Sequence, residues 1–109
     1  MKAGTLEVLN RLSETLAARR NADPSTSYTA SLFAKGPDAI LKKIGEESAE
    51  LIMAAKDGKR LPIVNEATDV VYHIMVLMAF FDMSVDDILQ EMHRREGISG
   101  IDEKRSRKA

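Results

Sequence analysis

Three features of the sequence predict an all-α protein. Apolar residues recur at spacings of three and four over long stretches, and no segment alternates with the period of two that a half-buried strand requires. The punctuation is that of helix ends: Pro37 just inside a start, Gly58 just past a stop and Ser84 ahead of two acids.

The first helix is expected from about Thr5 to Arg20, with Leu6, Leu9, Leu12 and Leu16 at helical spacing, and Asn21-Ala22-Asp23-Pro24-Ser25 turns the chain. Ser27–Lys35 forms a short helical turn closed by Gly36-Pro37. Pro37 then opens the second helix, where its missing N–H is harmless. That helix places Ile40, Leu41, Ile44, Ser48, Leu51, Ile52 and Ala55 on one face and stops at Asp57-Gly58. Pro62 opens the third, which runs to about Phe81. Ser84 with Asp86 and Asp87 caps a fourth, whose apolar stripe is Val85, Ile88, Leu89 and Met92, and Gly97 and Gly100 mark its exit. Short connections favour antiparallel neighbours. The expected architecture is a four- to five-helix bundle in one domain, 1–109, with a basic tail from about 101 to 109.

The chain has 109 residues, 44% of them hydrophobic, which suits one domain with a packed core. The absence of cysteine excludes a disulfide scaffold, a thiolate zinc site and a Cys nucleophile. A formal charge of −1 argues against a generic nucleic-acid binder. The longest uninterrupted apolar run, Ile74–Phe81, falls short of the roughly 20 residues a membrane span needs. Met1–Glu7 lacks the apolar stretch of a signal peptide. A soluble, cytoplasmic protein without membrane or nucleic-acid partners is expected. The charge is nonetheless unevenly spread. Residues 104–109 hold four cations, leaving 12 basic against 17 acidic residues in the preceding body.

The acids concentrate on two helices. Lys43, Glu46, Glu47, Glu50 and Ala54 form a strip beside the apolar face of the second helix. On the third, every residue from Val70 to Phe81 is apolar except His73, so the helix should be buried nearly all round, with Glu66, Asp69 and His73 on one stripe. Carboxylates on a buried helix need a cation, because desolvating an unpaired one costs several kcal/mol. No Lys or Arg lies between Pro62 and Phe81. Antiparallel packing can face Glu47-Ser48-Ala49-Glu50 toward Glu66-Ala67-Thr68-Asp69. Four hard oxygen donors favour Mg²⁺ or Mn²⁺ over zinc or copper. A ferritin-like di-iron site would need Glu-x-x-His on two helices, and an EF-hand a Gly-containing loop; neither is present. Carboxylate-held Mg²⁺ in turn suggests attack on a phosphate ester or anhydride.

The paired Glu-x-x-Glu and Glu-x-x-Asp motifs resemble those of the all-α nucleotide pyrophosphohydrolase superfamily, which includes the MazG-like and dimeric dUTPase-like enzymes. Four segments narrow the resemblance to the phosphoribosyl-ATP pyrophosphohydrolase family. They are Ser27–Leu32, Lys42–Glu50, Glu66–Asp69 leading into Tyr72-His73, and Arg94–Lys104, within a region of about 27–107. Ser48 and Thr68 depart mildly from the small apolar residues expected there.

The resemblance implies a MazG-like bundle and Mg²⁺-dependent hydrolysis of phosphoribosyl-ATP to phosphoribosyl-AMP and pyrophosphate, in histidine biosynthesis. It makes Glu47, Glu50, Glu66 and Asp69 the metal ligands, with Glu46 beside them, and implies a separate phosphoribosyl-AMP cyclohydrolase for the next step. Glu47 or Glu50 is the expected proton acceptor. So anionic a nucleotide substrate also needs cations, for which Lys35, Lys43, Arg94, Arg95, Lys104 and Arg107 are candidates. Arg105 and Lys108 are expected to be solvated. Tyr28, just before the second helix, is a candidate contact for the adenine or a phosphate, His73 is expected behind the metal ligands or against the base, and Met53, Met75 and Met78 are expected to fill the core. Four helices, one of them apolar all round, carry more hydrophobic surface than a monomer covers, so a homodimer or a dimer of dimers is expected. Two other functions fit the acidic pairs: a housekeeping (d)NTP pyrophosphatase, and a non-catalytic helical dimerisation module.

Overall fold

Six helices account for most of the described chain: α1 (Thr5–Arg19), α2 (Tyr28–Lys35), α3 (Pro37–Asp57), α4 (Arg60–Phe80), α5 (Val85–Arg94) and α6 (Gly100–Lys108). The computed structural model describes residues 4–108, with the side chains of Thr5, Leu6 and Lys108 outside the description. The apolar role expected of Leu6 and the solvated one of Lys108 therefore lie outside the described residues, as do Met1–Ala3 and the last tail residue, Ala109.

Local chemistry sets the helix ends. Ser27 caps α2 by accepting the Ala30 N–H, so the expected turn is a full helix. Gly36, at φ 94°, makes the corner between α2 and Pro37 at the first position of α3. Gly58 ends α3 in the left-handed region at φ 74°, and its N–H donates to the carbonyls of Ala54 and Ala55. A side chain there would be strained. The Gly58-Lys59 link turns α4 back along α3, and these two helices form the most extensive pairing in the chain. α4 begins at Arg60, two residues before the expected Pro62. Proline is tolerated in a first turn, where the N–H groups have no intrahelical partner anyway. Ser84 and Asp87 form a reciprocal capping box at the start of α5.

The core draws one or more residues from each of α1 to α5: Leu16, Leu32, Ile40, Met75, Val76, Ala79 and Val85. Around it the burial is one-sided, which corrects several expectations. α4 is not buried all round, since Leu61 is 69% exposed and Val64 and Val71 are each 48% exposed. α3 covers one side of α4 and α1 part of another, leaving the remainder open. On α3, Leu41, Ile52 and Ala55 are exposed rather than packed, and so is Met53, which does not fill the core. Met75 is buried and Met78 half-buried as expected, whereas Met92 on α5 is exposed.

By length and composition α4 also reaches the threshold of a bilayer span, correcting the expectation drawn from uninterrupted apolar runs. Its inner side, with Met75, Val76 and Ala79, is buried against the other helices, and the opposite side is open in the single chain.

The tail is a further correction. Ser99 accepts the Asp102 N–H and starts α6, so residues 100–108 of the basic tail are helical, and the expected four to five helices become six. The molecule is open for its size. Its radius of gyration is 16.0 Å, against about 13 Å for a compact chain of this length. It exposes 7882 Å², where a folded monomer of its mass exposes about 6,000 Å².

Candidate metal centre

The hairpin of α3 and α4 sets Glu47 opposite the turn that carries Glu66 and Asp69. One carboxylate oxygen from each of these three residues lies within 4.8 Å of the others. Glu47 is buried, Glu66 half-buried and Asp69 exposed. Two unit charges about 5 Å apart near a protein surface repel by about 3 kcal/mol, so three such acids are costly without a cation. The protein offers one nearby: Lys43 Nζ lies 3.5 Å from Glu47 Oε1 and 3.6 Å from Glu46 Oε2. Glu66 Oε2 is buried with no hydrogen-bond donor. A donorless buried oxygen among hard carboxylate ligands fits a divalent cation such as Mg²⁺ or Mn²⁺.

Of the predicted ligands, the structure thus brings together Glu47, Glu66 and Asp69. Glu50, one turn after Glu47, is exposed and outside the group. Glu46 is also outside it and is paired with Lys43.

Behind the acids lies an aromatic assembly. His73, one turn beyond Asp69, is 5% exposed. Its Nδ1 lies 2.8 Å from the Asp69 carbonyl and its Nε2 lies 2.9 Å from the Tyr28 hydroxyl. A carbonyl only accepts, so Nδ1 carries the proton. In the neutral ring Nε2 is then the acceptor, and Tyr28 donates to it. Tyr28 and Tyr72 meet the imidazole edge-on, and Tyr72 shares a hydrogen bond with the Thr29 hydroxyl. Partial burial pushes the Tyr28 phenol up, an effect the Lys43 ammonium opposes. Lys43 is itself raised, first by Tyr28 and then by Glu46 and Glu47, and stays protonated at neutral pH.

The predicted cations fall into two groups. Lys43 stands at the acids, and Lys35 is exposed in the last turn of α2. Arg94, Arg95 and Arg107 converge instead on Glu103 in α6. Glu103 is 5% exposed and takes two 2.8 Å bonds from Arg94 Nη2, with Arg95 at 3.8 Å and Arg107 at 3.7 Å. Glu91 accepts from Arg94 at 2.7 and 2.9 Å and from Arg95 at 3.0 Å. Arg94 and then Arg95 hold its carboxyl down at about 2, while Arg94 is raised. Lys104 and Arg105 are exposed. Sequence reasoning missed Glu91 and Glu103. The available signal was the repeated i, i+3 and i, i+4 pairing of Glu91 with Arg94 and Arg95, and of Glu103 with Arg107.

Comparison with known proteins adds an independent line. The phosphoribosyl-ATP pyrophosphohydrolase family matches residues 9–96. A phosphoribosyl-ATP pyrophosphatase of Dechloromonas aromatica is 72% identical over 103 residues, covering 94% of this chain and 95% of the relative. Enzymes of the same name from Azoarcus sp. and Aromatoleum aromaticum are 61% and 59% identical, each over 94% of this chain and 96% and 94% of the relative.

Proposed function

The chain belongs to the phosphoribosyl-ATP pyrophosphohydrolase family, and from that membership we propose that it hydrolyses phosphoribosyl-ATP to phosphoribosyl-AMP and pyrophosphate in histidine biosynthesis. The observation that supports the chemistry is the convergence of Glu47, Glu66 and Asp69 on a space where Glu66 Oε2 lacks any donor. These three residues would hold Mg²⁺ or Mn²⁺, with Glu50 as a further ligand from the next turn of α3. Such an ion, when bound, supplies Lewis-acid neutralisation of the anionic phosphates.

The remaining work falls to the chain's own residues. Lys43 meets a phosphate from the wall of the site. Water attacks the anhydride between the α and β phosphorus atoms, and the P–O bond breaks with its electrons leaving on one phosphate. Glu50 takes the water proton on a carboxylate oxygen left free of the ion, whereas Glu47 is already paired with Lys43. Arg94 is held by both Glu91 and Glu103, whereas Arg95 and Arg107 meet these acids through Nε and keep their terminal N–H groups for a phosphate.

The active form is a homodimer, or an assembly of dimers. Support comes from the excess exposed area and from an apolar groove between α1 and α4 that includes Val8, Leu12, Val64 and Val71. A substrate panel tests the reaction. Pyrophosphate is expected from phosphoribosyl-ATP in the presence of Mg²⁺ and lost with EDTA. Rapid release from dUTP or dCTP, with phosphoribosyl-ATP inert, would overturn the choice of substrate.

A further inference from the structure

Tyr28 is the one aromatic residue around the acidic centre that combines an anchored hydroxyl with an open ring. Its side chain is 53% exposed, although its hydroxyl is fixed on a buried histidine. That anchor is well defined: His73 donates from Nδ1 to the Asp69 carbonyl and its Nε2 lies 2.9 Å from the Tyr28 hydroxyl. The phenol is therefore two hydrogen bonds from the backbone of one of the clustered acids, and it lies in the field of Lys43, Glu47 and Glu46.

Its chemistry is restricted as a result. The hydroxyl is engaged by His73 Nε2 at 2.9 Å, so the ring rather than the oxygen is what Tyr28 offers a ligand. Lys43, protonated beside Glu47, is a cation available for phosphate. What Tyr28 presents outward is a rigid π surface. A flat aromatic ring complements that surface, and the nucleotide of the proposed reaction carries one.

We propose that Tyr28 is the base-recognition residue of this site, stacking on the nucleobase while Lys43 and the acidic centre engage the phosphates. The assignment rests on the nucleotide substrate of the proposed function and deepens it. His73 acts through Tyr28 as a positioning residue: it removes the hydroxyl from phosphate chemistry and holds the ring at one angle.

The test compares a ligand that has a base with one that does not. Calorimetry in Mg²⁺ with ATP and with inorganic tripolyphosphate is expected to give the wild type about a tenfold preference for ATP, in the range of one base–aromatic stack. Tyr28→Leu should erase that preference by weakening ATP alone, while Tyr28→Trp restores it. Tyr28→Phe keeps the ring and should retain most of it, which guards against misreading a folding defect. In turnover, Tyr28→Leu should raise the KM for phosphoribosyl-ATP with little change in kcat. A preference that survives Tyr28→Leu, its absence from the wild type, or an equal loss of tripolyphosphate binding would overturn the proposal. Failure of the wild type to hydrolyse phosphoribosyl-ATP contradicts the reaction instead, and the binding comparison remains readable without it.

Discussion

Glu66 brings to the centre a buried oxygen with no donor, next to two other carboxylates, and such a group calls for a cation. Replacing it is therefore diagnostic. Glu66→Gln or Asp69→Asn should lower kcat/KM by about a hundredfold or more through loss of metal affinity, with the helical circular dichroism unchanged. Manganese binding followed by electron paramagnetic resonance checks the cause directly, and wild-type affinity in both variants would refute it. These residues were legible in the sequence because i, i+3 spacing puts two acids on one helix face whatever the tertiary context. The Tyr28–His73 bond was not, since it joins residues 45 apart on different helices. Nor did spacing separate Glu50 from the clustered acids, because it fixes a face and not the point where two helices approach most closely.

At the scale of elements, α3 and α4 position the chemistry, and the caps and clamps hold the rest around them. Ser84→Ala removes one half of the α5 capping box and should cost about 1 kcal/mol, read as a lower denaturant midpoint at fixed protein concentration. α6 is docked differently, by charge: Glu103 is its buried contact, facing the guanidinium groups of α5. Glu103→Gln should make Arg105 markedly more sensitive to trypsin, and raised salt should do the same to the wild type; equal cleavage in all three conditions would contradict the clamp. The pH dependence has a definite sign. Glu91 is depressed from 4.5 to about 2, so its contribution is complete above pH 4.5 and is lost as pH falls through about 2. The long helices were readable from apolar spacing and from Pro37, Gly58 and Ser84. α6 was not, because its nine residues carry a mostly charged sequence with no apolar stripe, and its anchor is an ion cluster.

The whole molecule is wider and more exposed than a self-sufficient chain of its length. The sequence carries more apolar surface than a monomer covers, and the single chain leaves Leu61, Val64 and Val71 of α4 exposed. The side that α1 and α3 do not cover is open in the single chain. Light scattering at micromolar concentration should give about twice the 12.1 kDa chain mass, or a multiple of the dimer. Val71→Asp combined with Val64→Asp should shift that mass toward the monomer. A wild type that stays monomeric would contradict the assembly and leave the acidic centre of each chain to be judged on its own.

The most direct measurement is the rate of pyrophosphate release from phosphoribosyl-ATP as Mg²⁺ is titrated, for the wild type and Glu66→Gln together. The account predicts saturable, Mg²⁺-dependent turnover in the wild type. The variant should retain at most about one hundredth of that activity, or regain it only at much higher Mg²⁺. Turnover that ignores Mg²⁺, or a variant with the wild-type titration curve, would contradict it.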